Sequence, residues 1–326
     1  SAQGTFVPPT LIELNHIGEL QREVFGPVLH LVRYARNDLN QLLDQINATG
    51  YGLTQGVHTR IDETIARVVN RAHAGSVYVN RNMVGAVVGV QPFGGEGLSG
   101  TGPKAGGPLY LLRLLSQRPA DALARTFADA DRATPPEDAV RERLLAPLAT
   151  LQQWAQLQGN AALASTCQRF ARQTQSGTAR TLHGPTGERN VYTLAPRARV
   201  LCLAQSVDDL LVQTAAVLAS GGTALWPNTQ ASQRAKLPTL VQAQVLLQDN
   251  ALNDGTLALD AVLHHGDTPS LQAVCTALTR RAGPIVGVTA LQPGATDIPL
   301  ERLMIERALS VNTAAAGGNA SLMTIG

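Results

Sequence analysis

The chain has 326 residues, a formal net charge of +2 at pH 7 and 15% charged residues. A nearly neutral chain without a long basic run lacks the electrostatic surface that nucleic acid requires, so we exclude nucleic-acid binding. The first residues show no basic cluster followed by an apolar run, and no later stretch is apolar for long enough to span a bilayer. Because the sequence begins with Ser1 instead of Met, we expect it to be part of a longer protein.

The first part of the chain alternates between strand and helix patterns. A strand is predicted over residues 28–34, and apolar residues recur at helical spacing over 39–46. A short strand at 56–58, a second amphipathic helix over 61–72 and a strand at 76–80 follow. This β-α-β-α-β order predicts an α/β sheet in a first domain, residues 1–118.

The composition changes near Pro119. Residues 119–180 are rich in Ala, Arg, Gln and Leu, and we interpret them as a helical connector with solvated charges. The α/β alternation then returns, with strands predicted at 199–203, 223–226, 261–264 and 285–288, and with a helix over 207–219 capped by Ser206. We therefore predict a second α/β domain over 181–326. Its last part, 309–326, is interpreted as a strand or flap that docks on another surface.

Residues 91–100, QPFGGEGLSG, are the most unusual stretch, since five of these ten residues are glycine or proline. Gly95, Gly97 and Gly100 match G-x-G-x-x-G, but Gly102 and Pro103 follow, so no helix can begin there. A dinucleotide phosphate cradle is therefore rejected. Two alternatives stay open: a structural glycine loop, or a loop whose backbone N–H groups hold an anionic ligand. The stretch follows a predicted strand, which places it at the sheet edge where α/β proteins bind ligands.

Other candidate residues give weaker signals. Glu23, before Phe25, is either a surface carboxylate or an acceptor for the two vicinal hydroxyls of a nucleotide ribose. The seven histidines and three cysteines show no metal-ligand or triad spacing, so no metal site is predicted. None of Cys167, Cys202 and Cys275 is in a context that activates a nucleophile. Their odd number argues against a disulfide framework, which favours the cytoplasm.

The residues quoted so far match a known family. Residues 4–115 resemble the last part of the catalytic domain of the aldehyde dehydrogenase superfamily, through GTFVPPT at 4–10, EVFGP at 23–27 and the glycine-rich residues 92–100. The pattern YVNRNMVGAVVGVQPF at 78–93 is similar to the L-glutamate γ-semialdehyde (1-pyrroline-5-carboxylate) dehydrogenase branch. Within this branch the chain resembles the bacterial bifunctional members, which join a FAD-dependent proline dehydrogenase to the aldehyde dehydrogenase. Residues 312–326 are similar to the terminus of their longer forms.

The resemblance implies specific roles for individual residues. Glu23 would hold the nicotinamide-side ribose of NAD, with Phe25 packed beside it. Gly85 and Ala86 would donate backbone N–H groups to the α-carboxylate of the substrate, and Phe93 would cover its aliphatic chain. In the family, the nucleophilic cysteine and the general-base glutamate precede the segment matched here. We therefore expect no catalytic residue in this chain, and no turnover without the upstream part of the same polypeptide.

The resemblance also extends to the second α/β domain. Residues 181–326 are similar to a degenerate aldehyde dehydrogenase cofactor half, which implies a non-catalytic, Rossmann-like domain that covers the dehydrogenase. Its tail would mimic the oligomerisation flap of other family members. The expected function is NAD-dependent oxidation of L-glutamate γ-semialdehyde to L-glutamate within a cytoplasmic bifunctional enzyme whose FAD lies outside this chain. Homo-oligomerisation and peripheral attachment of the whole enzyme to the inner membrane are further options. A structural or oligomerisation module without its own ligand is the alternative.

Overall fold

The computed structural model describes residues 3–115, 117–119, 121–127, 133–134 and 137–314. The first part of the chain forms small α/β units. Its elements are β1 (Thr10–Leu14), β2 (Val28–Val32), α1 (Leu39–Ala48), β3 (Tyr51–Gly52), β4 (Thr54–Val57), α2 (Asp62–Arg71), β5 (Ser76–Val79) and β6 (Glu96–Gly97), with 3₁₀ helices at Ile17–Glu19, Arg36–Asp38 and Tyr110–Arg113. The predicted α/β order of this part is confirmed.

Helices and then a second α/β unit make up the rest of the described chain. The elements are α3 (Ala122–Thr126), β7 (Ala133–Thr134), α4 (Asp138–Leu157), α5 (Ala161–Gln173), β8 (Ala179–Leu182), β9 (Glu188–Pro196), β10 (Arg199–Ala204), α6 (Val207–Ser220), β11 (Thr223–Trp226), α7 (Ala231–Arg234), α8 (Thr239–Gln242), β12 (Val245–Leu247), β13 (Ala261–His265), α9 (Thr268–Leu278), β14 (Gly287–Leu291) and β15 (Met304–Asn312), with 3₁₀ helices at Asn228–Gln230 and Leu300–Leu303.

A five-stranded parallel sheet organises the second unit, in the order β12-β11-β10-β13-β14. The first strand of this sheet, β10, lies at its centre, so the strand order changes direction beside it, as in doubly wound α/β sheets. Helix α6 packs against the sheet and is buried along almost its whole length. Its N-cap, Ser206, accepts a hydrogen bond from the backbone N–H of Asp209, and the left-handed Gly221 ends it. The predicted cap and helix are therefore confirmed.

The helices between the two α/β units belong to a core. Leu148 and Leu151 of α4 and Phe170 of α5 are at most 1% exposed and pack in one cluster with α6. The region is helical as expected. Its helices form a packed layer on the second unit, so they are part of its core in addition to linking the two α/β units. The boundaries at residues 118 and 180 stay predictions.

One mixed sheet contains strands from both ends of the chain. Its order is β4-β5-β15-β9-β8-β7. Strand β15 pairs in parallel with β5, where Ala308 lies opposite Ser76, and antiparallel with β9 along nine residue pairs, from Met304 opposite Pro196 to Asn312 opposite Glu188. The last described strand thus lies inside a sheet and joins the two parts of the chain.

Two predicted segments differ from the structure. The strand expected at 285–288 is β14, Gly287–Leu291, because pairing with β13 begins where Gly287 lies opposite Ala261. The flap-like tail expected from residue 309 overlaps β15, which begins at Met304 and is an interior strand up to Asn312. Residues 315–326 of that tail lie outside the described residues. Within the described part of the chain, no helix combines the length and apolar character needed to cross a membrane.

Candidate functional site

Glu23 and Phe25 lie in the loop that leads into β2. This strand and β1 form a two-stranded parallel sheet, in which Thr10 lies opposite Val28. The Glu23 carboxylate is exposed and makes no hydrogen bond to the described residues, and the Phe25 side chain is 84% exposed. An exposed carboxylate without a partner can accept hydrogen bonds from hydroxyl groups, and an exposed ring two positions away in the sequence can offer apolar contact.

Gly85 and Ala86 lie in the exposed loop that follows β5. Gly85 has a φ of 78°, in the left-handed region, and no atom lies within 4 Å of the position of a Cβ. Among the described residues, no hydrogen bond uses the backbone N–H of Gly85 or Ala86. Two consecutive backbone N–H groups without an acceptor are available to donate hydrogen bonds to an anion. The arrangement suits a carboxylate.

Phe93 is held by backbone pairing. Its N–H donates to the carbonyl of Ala105 at 3.0 Å, and its own carbonyl accepts the Ala105 N–H at 2.8 Å. These two bonds form an isolated antiparallel bridge that fixes the backbone on which the partly buried ring is carried. A ring on a fixed backbone can present an apolar surface at a constant place.

Lys104 holds the backbone of Gly94, the residue that follows Phe93. Its side chain is 2% exposed, and its Nζ donates a hydrogen bond to the carbonyl of Gly94. Burial lowers the pKa of the Lys104 ammonium to about 8, although Glu306 and Glu96 act in the opposite direction. A Cβ on Gly75 would lie 2.0 Å from the Gly94 oxygen. Position 75 therefore has no room for a side chain.

Close backbone contacts account for the glycines near the end of residues 91–100. A Cβ on Gly97 would lie 2.4 Å from the carbonyl oxygen of Gly50, and one on Gly100 would lie 2.7 Å from that of Gly95. The N–H of Leu98 donates to Gly50 as well. These contacts favour the structural glycine loop over an anion-binding loop at this place. After Gly100 the next helix is the 3₁₀ turn Tyr110–Arg113, which agrees with the rejection of a phosphate cradle.

Side chains of β9 and β15 hold both ends of this stretch. Gln91, which is 5% exposed, donates from Nε2 to the carboxylate of Glu188 in β9. Glu96 accepts a hydrogen bond from Arg307 of β15 at 3.1 Å. The backbone N–H of Lys104 donates to Glu306, also in β15, at 2.8 Å. The C-terminal strands are therefore part of the framework of the candidate substrate loops.

The structure groups the candidate residues into two sets. Gly85, Ala86 and Phe93 lie on one continuous stretch after β5, whereas Glu23 and Phe25 lie in the loop before β2. Among the described residues, no hydrogen bond or ion pair joins the two sets. The roles of all five residues stay predictions. The supporting residues in β9 and β15 were not predicted, because a single polar residue in a strand carries no local signal of its partner.

The buried cysteines are poor nucleophiles. Burial raises the pKa of the Cys167 thiol to about 12 and also raises the pKa of the Cys202 thiol. Both side chains lie in the core with 0% exposure. Cys275 is exposed on α9, and among the described residues no cluster of His, Cys, Asp and Glu fits a metal ion.

The second α/β unit offers a poor place for a dinucleotide. The turn between β10 and α6 contains no glycine, and the Ser206 hydroxyl already occupies the Asp209 N–H. Asp208 and Asp209 add negative charge to the first turn of α6, where a pyrophosphate would have to bind. The residues present do not fit NAD at this sheet.

Comparison with known proteins shows what the first part of the chain resembles. Residues 1–118 match the sequence model of the aldehyde dehydrogenase family. This part is similar in sequence to aldehyde dehydrogenases. The 1-pyrroline-5-carboxylate dehydrogenase of Staphylococcus aureus (strain JH1) is 41% identical over 119 residues, which cover 36% of this chain and 23% of that protein. The aldehyde dehydrogenase resemblance drawn from the sequence is confirmed.

The similarity to the bifunctional protein PutA extends over nearly the whole chain. The PutA protein of Salmonella typhimurium is 59% identical over 327 residues, which cover 99% of this chain. The chain spans only 24% of the length of that PutA. A solved PutA structure from Corynebacterium freiburgense has a TM-score of 0.59 over 93% of this chain and 27% of its own, at 20% identity. At that identity the likeness shows the fold alone.

Proposed function

We propose that the chain forms part of an NAD-dependent aldehyde dehydrogenase that oxidises L-glutamate γ-semialdehyde to L-glutamate. The observation that carries the proposal is the loop at Gly85 and Ala86, where two exposed backbone N–H groups make no hydrogen bond to the described residues. An anionic substrate would satisfy both donors. The names of the PutA and 1-pyrroline-5-carboxylate dehydrogenase relatives support a substrate from proline breakdown.

Phe93 would contribute the apolar part of the substrate site. The aliphatic chain of glutamate semialdehyde separates its α-carboxylate from its aldehyde, so a ring between the two ends can cover the methylene groups. Burial of such groups contributes about 0.8 kcal/mol per methylene. The backbone bridge to Ala105 would keep the ring in place.

Glu23 and Phe25 would be this chain's contribution to NAD binding. The free Glu23 carboxylate fits the two vicinal hydroxyls of a ribose, and the exposed Phe25 ring would pack beside it. NAD would supply the hydride acceptor for the oxidation. Because the second α/β sheet does not fit a dinucleotide, most of the NAD site would be formed by residues outside this chain.

The nucleophile and the general base would also come from the rest of a longer polypeptide. The two buried cysteines of this chain remain thiols at neutral pH. A polypeptide about as long as PutA would carry these groups, together with a FAD-dependent proline dehydrogenase. Residues 181–326 would then serve as a non-catalytic lid and assembly module in a cytoplasmic enzyme.

A purely structural module is the second candidate, because β15 pairs with β5 and β9 at once and so joins the two parts of the chain.

Phe93→Ala and Glu23→Gln in the full-length protein separate the two functions. We expect Phe93→Ala to lower kcat/KM for glutamate semialdehyde about 10- to 100-fold, in line with about 1.5–3 kcal/mol for a buried ring. Glu23→Gln should raise the KM for NAD.

Proline oxidation in the same preparations is the internal control. Both variants should reduce an artificial electron acceptor with proline at the wild-type rate. If aldehyde oxidation is also unchanged in both variants, the proposed substrate and cofactor roles are wrong, and the structural module becomes the better account.

A further inference from the structure

Glu188, the first residue of β9, collects three donors on one oxygen. Its Oε1 accepts hydrogen bonds from Arg81, from the Gln91 amide and from the Ser310 hydroxyl, the last at 2.6 Å. The Arg81 Nη1 also donates to Ser310 at 2.9 Å, and its guanidinium lies 5.2 Å from the centre of the Tyr78 ring. The side chain of Glu188 is 15% exposed. The carboxylate is therefore a partly buried, charge-compensated acceptor between β5, β9 and β15.

Gln91 links Glu188 to the turn that follows Gly85 and Ala86, because its side chain hydrogen-bonds to both. Its amide oxygen accepts the backbone N–H of Val87 at 3.0 Å, and its own backbone N–H donates to the Val87 carbonyl at 2.8 Å. The N–H of Val90 donates to the same carbonyl at 3.1 Å. These bonds close the turn that begins one residue after Ala86.

The chemistry of Glu188 determines which way the Gln91 amide faces. An ionised carboxylate can only accept hydrogen bonds, so it must face the NH₂ group of Gln91. The amide oxygen is then directed to the Val87 N–H, and the reversed amide would place oxygen against oxygen and NH₂ against N–H. A neutral amide at position 188 would present both a donor and an acceptor, so this orientation would no longer be enforced.

We propose that Glu188 is a positioning residue for the substrate α-carboxylate: through Gln91 it fixes the turn at Val87 and thereby the free N–H groups of Gly85 and Ala86. The inference rests on the proposed function, because the anion it concerns is that of the substrate. It gives strand β9, from the predicted second domain, a direct effect on substrate affinity, separate from covering the active site. Arg81 offsets the negative charge of Glu188, so the carboxylate does not repel the anion that the loop would bind.

Glu188→Gln in the full-length protein tests the proposal, with Glu301→Gln as the matched control. Glu301 is also a partly buried carboxylate that binds an arginine, Arg118, at 2.7 Å, but it does not contact the loop of residues 81–91. Each variant is assayed with glutamate semialdehyde and with pentanal, an aldehyde of similar length without charged groups. Loss of one charge-assisted hydrogen bond corresponds to about a tenfold effect on binding.

We expect Glu188→Gln to raise the KM for glutamate semialdehyde about tenfold while kcat changes by less than about threefold, and to leave kcat/KM for pentanal at the wild-type value. Glu301→Gln should leave the ratio of the two kcat/KM values unchanged. Gln91→Met, which keeps the side-chain length and removes both amide contacts, should reproduce the selective KM effect. If Glu188→Gln does not fold, Gln91→Met still tests the proposal.

The outcomes are distinguishable. If the variants lower kcat/KM for both aldehydes equally, or affect neither, Glu188 has no positioning role. If the wild-type protein does not oxidise glutamate semialdehyde at all, the proposed function fails first. Wild-type activity combined with a Glu188→Gln protein that behaves like Glu301→Gln overturns the inference alone.

Discussion

The backbone N–H of Lys104 donates to Oε2 of Glu306 at 2.8 Å, although 202 positions separate the two residues. Lys104 follows the glycine-rich residues 91–100, and Glu306 lies in β15. On the other side, Oε1 of Glu306 accepts the hydroxyl of Tyr192 in β9 at 2.7 Å. Burial raises the pKa of the Glu306 carboxyl, while these hydrogen bonds act against that rise. The C-terminal strands therefore hold the backbone beside Phe93 and Gly94 through one buried carboxyl.

Removal of the Tyr192 hydroxyl should destabilise the protein. Tyr192 is fully buried, so Tyr192→Phe leaves Oε1 of Glu306 without that donor in a site that water reaches poorly. We expect a loss of about 1–3 kcal/mol in the free energy of unfolding, measured by denaturant titration. Tyr110→Phe is the control, since Tyr110 is 43% exposed and should change stability by less than about 0.5 kcal/mol. Equal stability of the two variants would contradict the role of this hydrogen bond.

Lys104 should make stability depend on pH in the alkaline range. Burial lowers its pKa from the ordinary value of 10.5 to about 8, so between these values the unfolded chain binds more protons than the folded one. The free energy of unfolding should therefore rise with pH over this window, by up to about 3 kcal/mol. Below the folded pKa the full penalty of the buried ammonium is present.

The measurement is a series of denaturant titrations between pH 7 and pH 10.5 on the wild type and on Lys104→Met. Groups that do not interact with Lys104 cancel in the difference, so the contribution of Lys104 and of its interactions with Glu306 and Glu96 remains. We expect the wild type to gain stability relative to the variant as the pH rises. Parallel curves for the two proteins would show that Lys104 titrates normally.

Gly85→Ala tests whether the left-handed turn shapes the proposed substrate site. A Cβ would meet no atom within 4 Å, so the change adds only the strain of a φ of 78°, about 1–2 kcal/mol. The loop can relax this strain by moving its free N–H groups, and we expect the KM for glutamate semialdehyde to rise up to about tenfold in the full-length protein. The measurement is steady-state kinetics with both aldehydes.

Gly283→Ala is the matched control for this change. Gly283 also has a positive φ, 95°, and also has open space at the Cβ position, but it lies in the second α/β unit between α9 and β14. The same strain placed there should leave the KM unchanged. A KM that rises equally in both variants would show that strain acts through general destabilisation instead of through the loop.

The sequence alone determined the local structure and the family resemblance of the first part. The periodic apolar residues of α1 and α2, the Ser206 cap and Gly221 end of α6, and the glycines of residues 91–100 each act through backbone conformation or nearest neighbours, so their effects are visible in short stretches. The residue pattern at 78–93 was specific enough to indicate an aldehyde dehydrogenase. These features can be predicted from short stretches of sequence without knowledge of the rest of the chain.

Only the tertiary structure decided how the distant parts meet. The insertion of β15 between β5 and β9, the contact of Glu188 with Gln91 and the contact of Glu306 with Lys104 each join residues roughly 100 to 230 positions apart. An isolated Glu in a strand looks the same whether it faces solvent or a buried donor, because its partner is set by the packing of whole sheets. For that reason the loop positions were visible in the sequence, while the side chains that hold them appeared only in the folded protein.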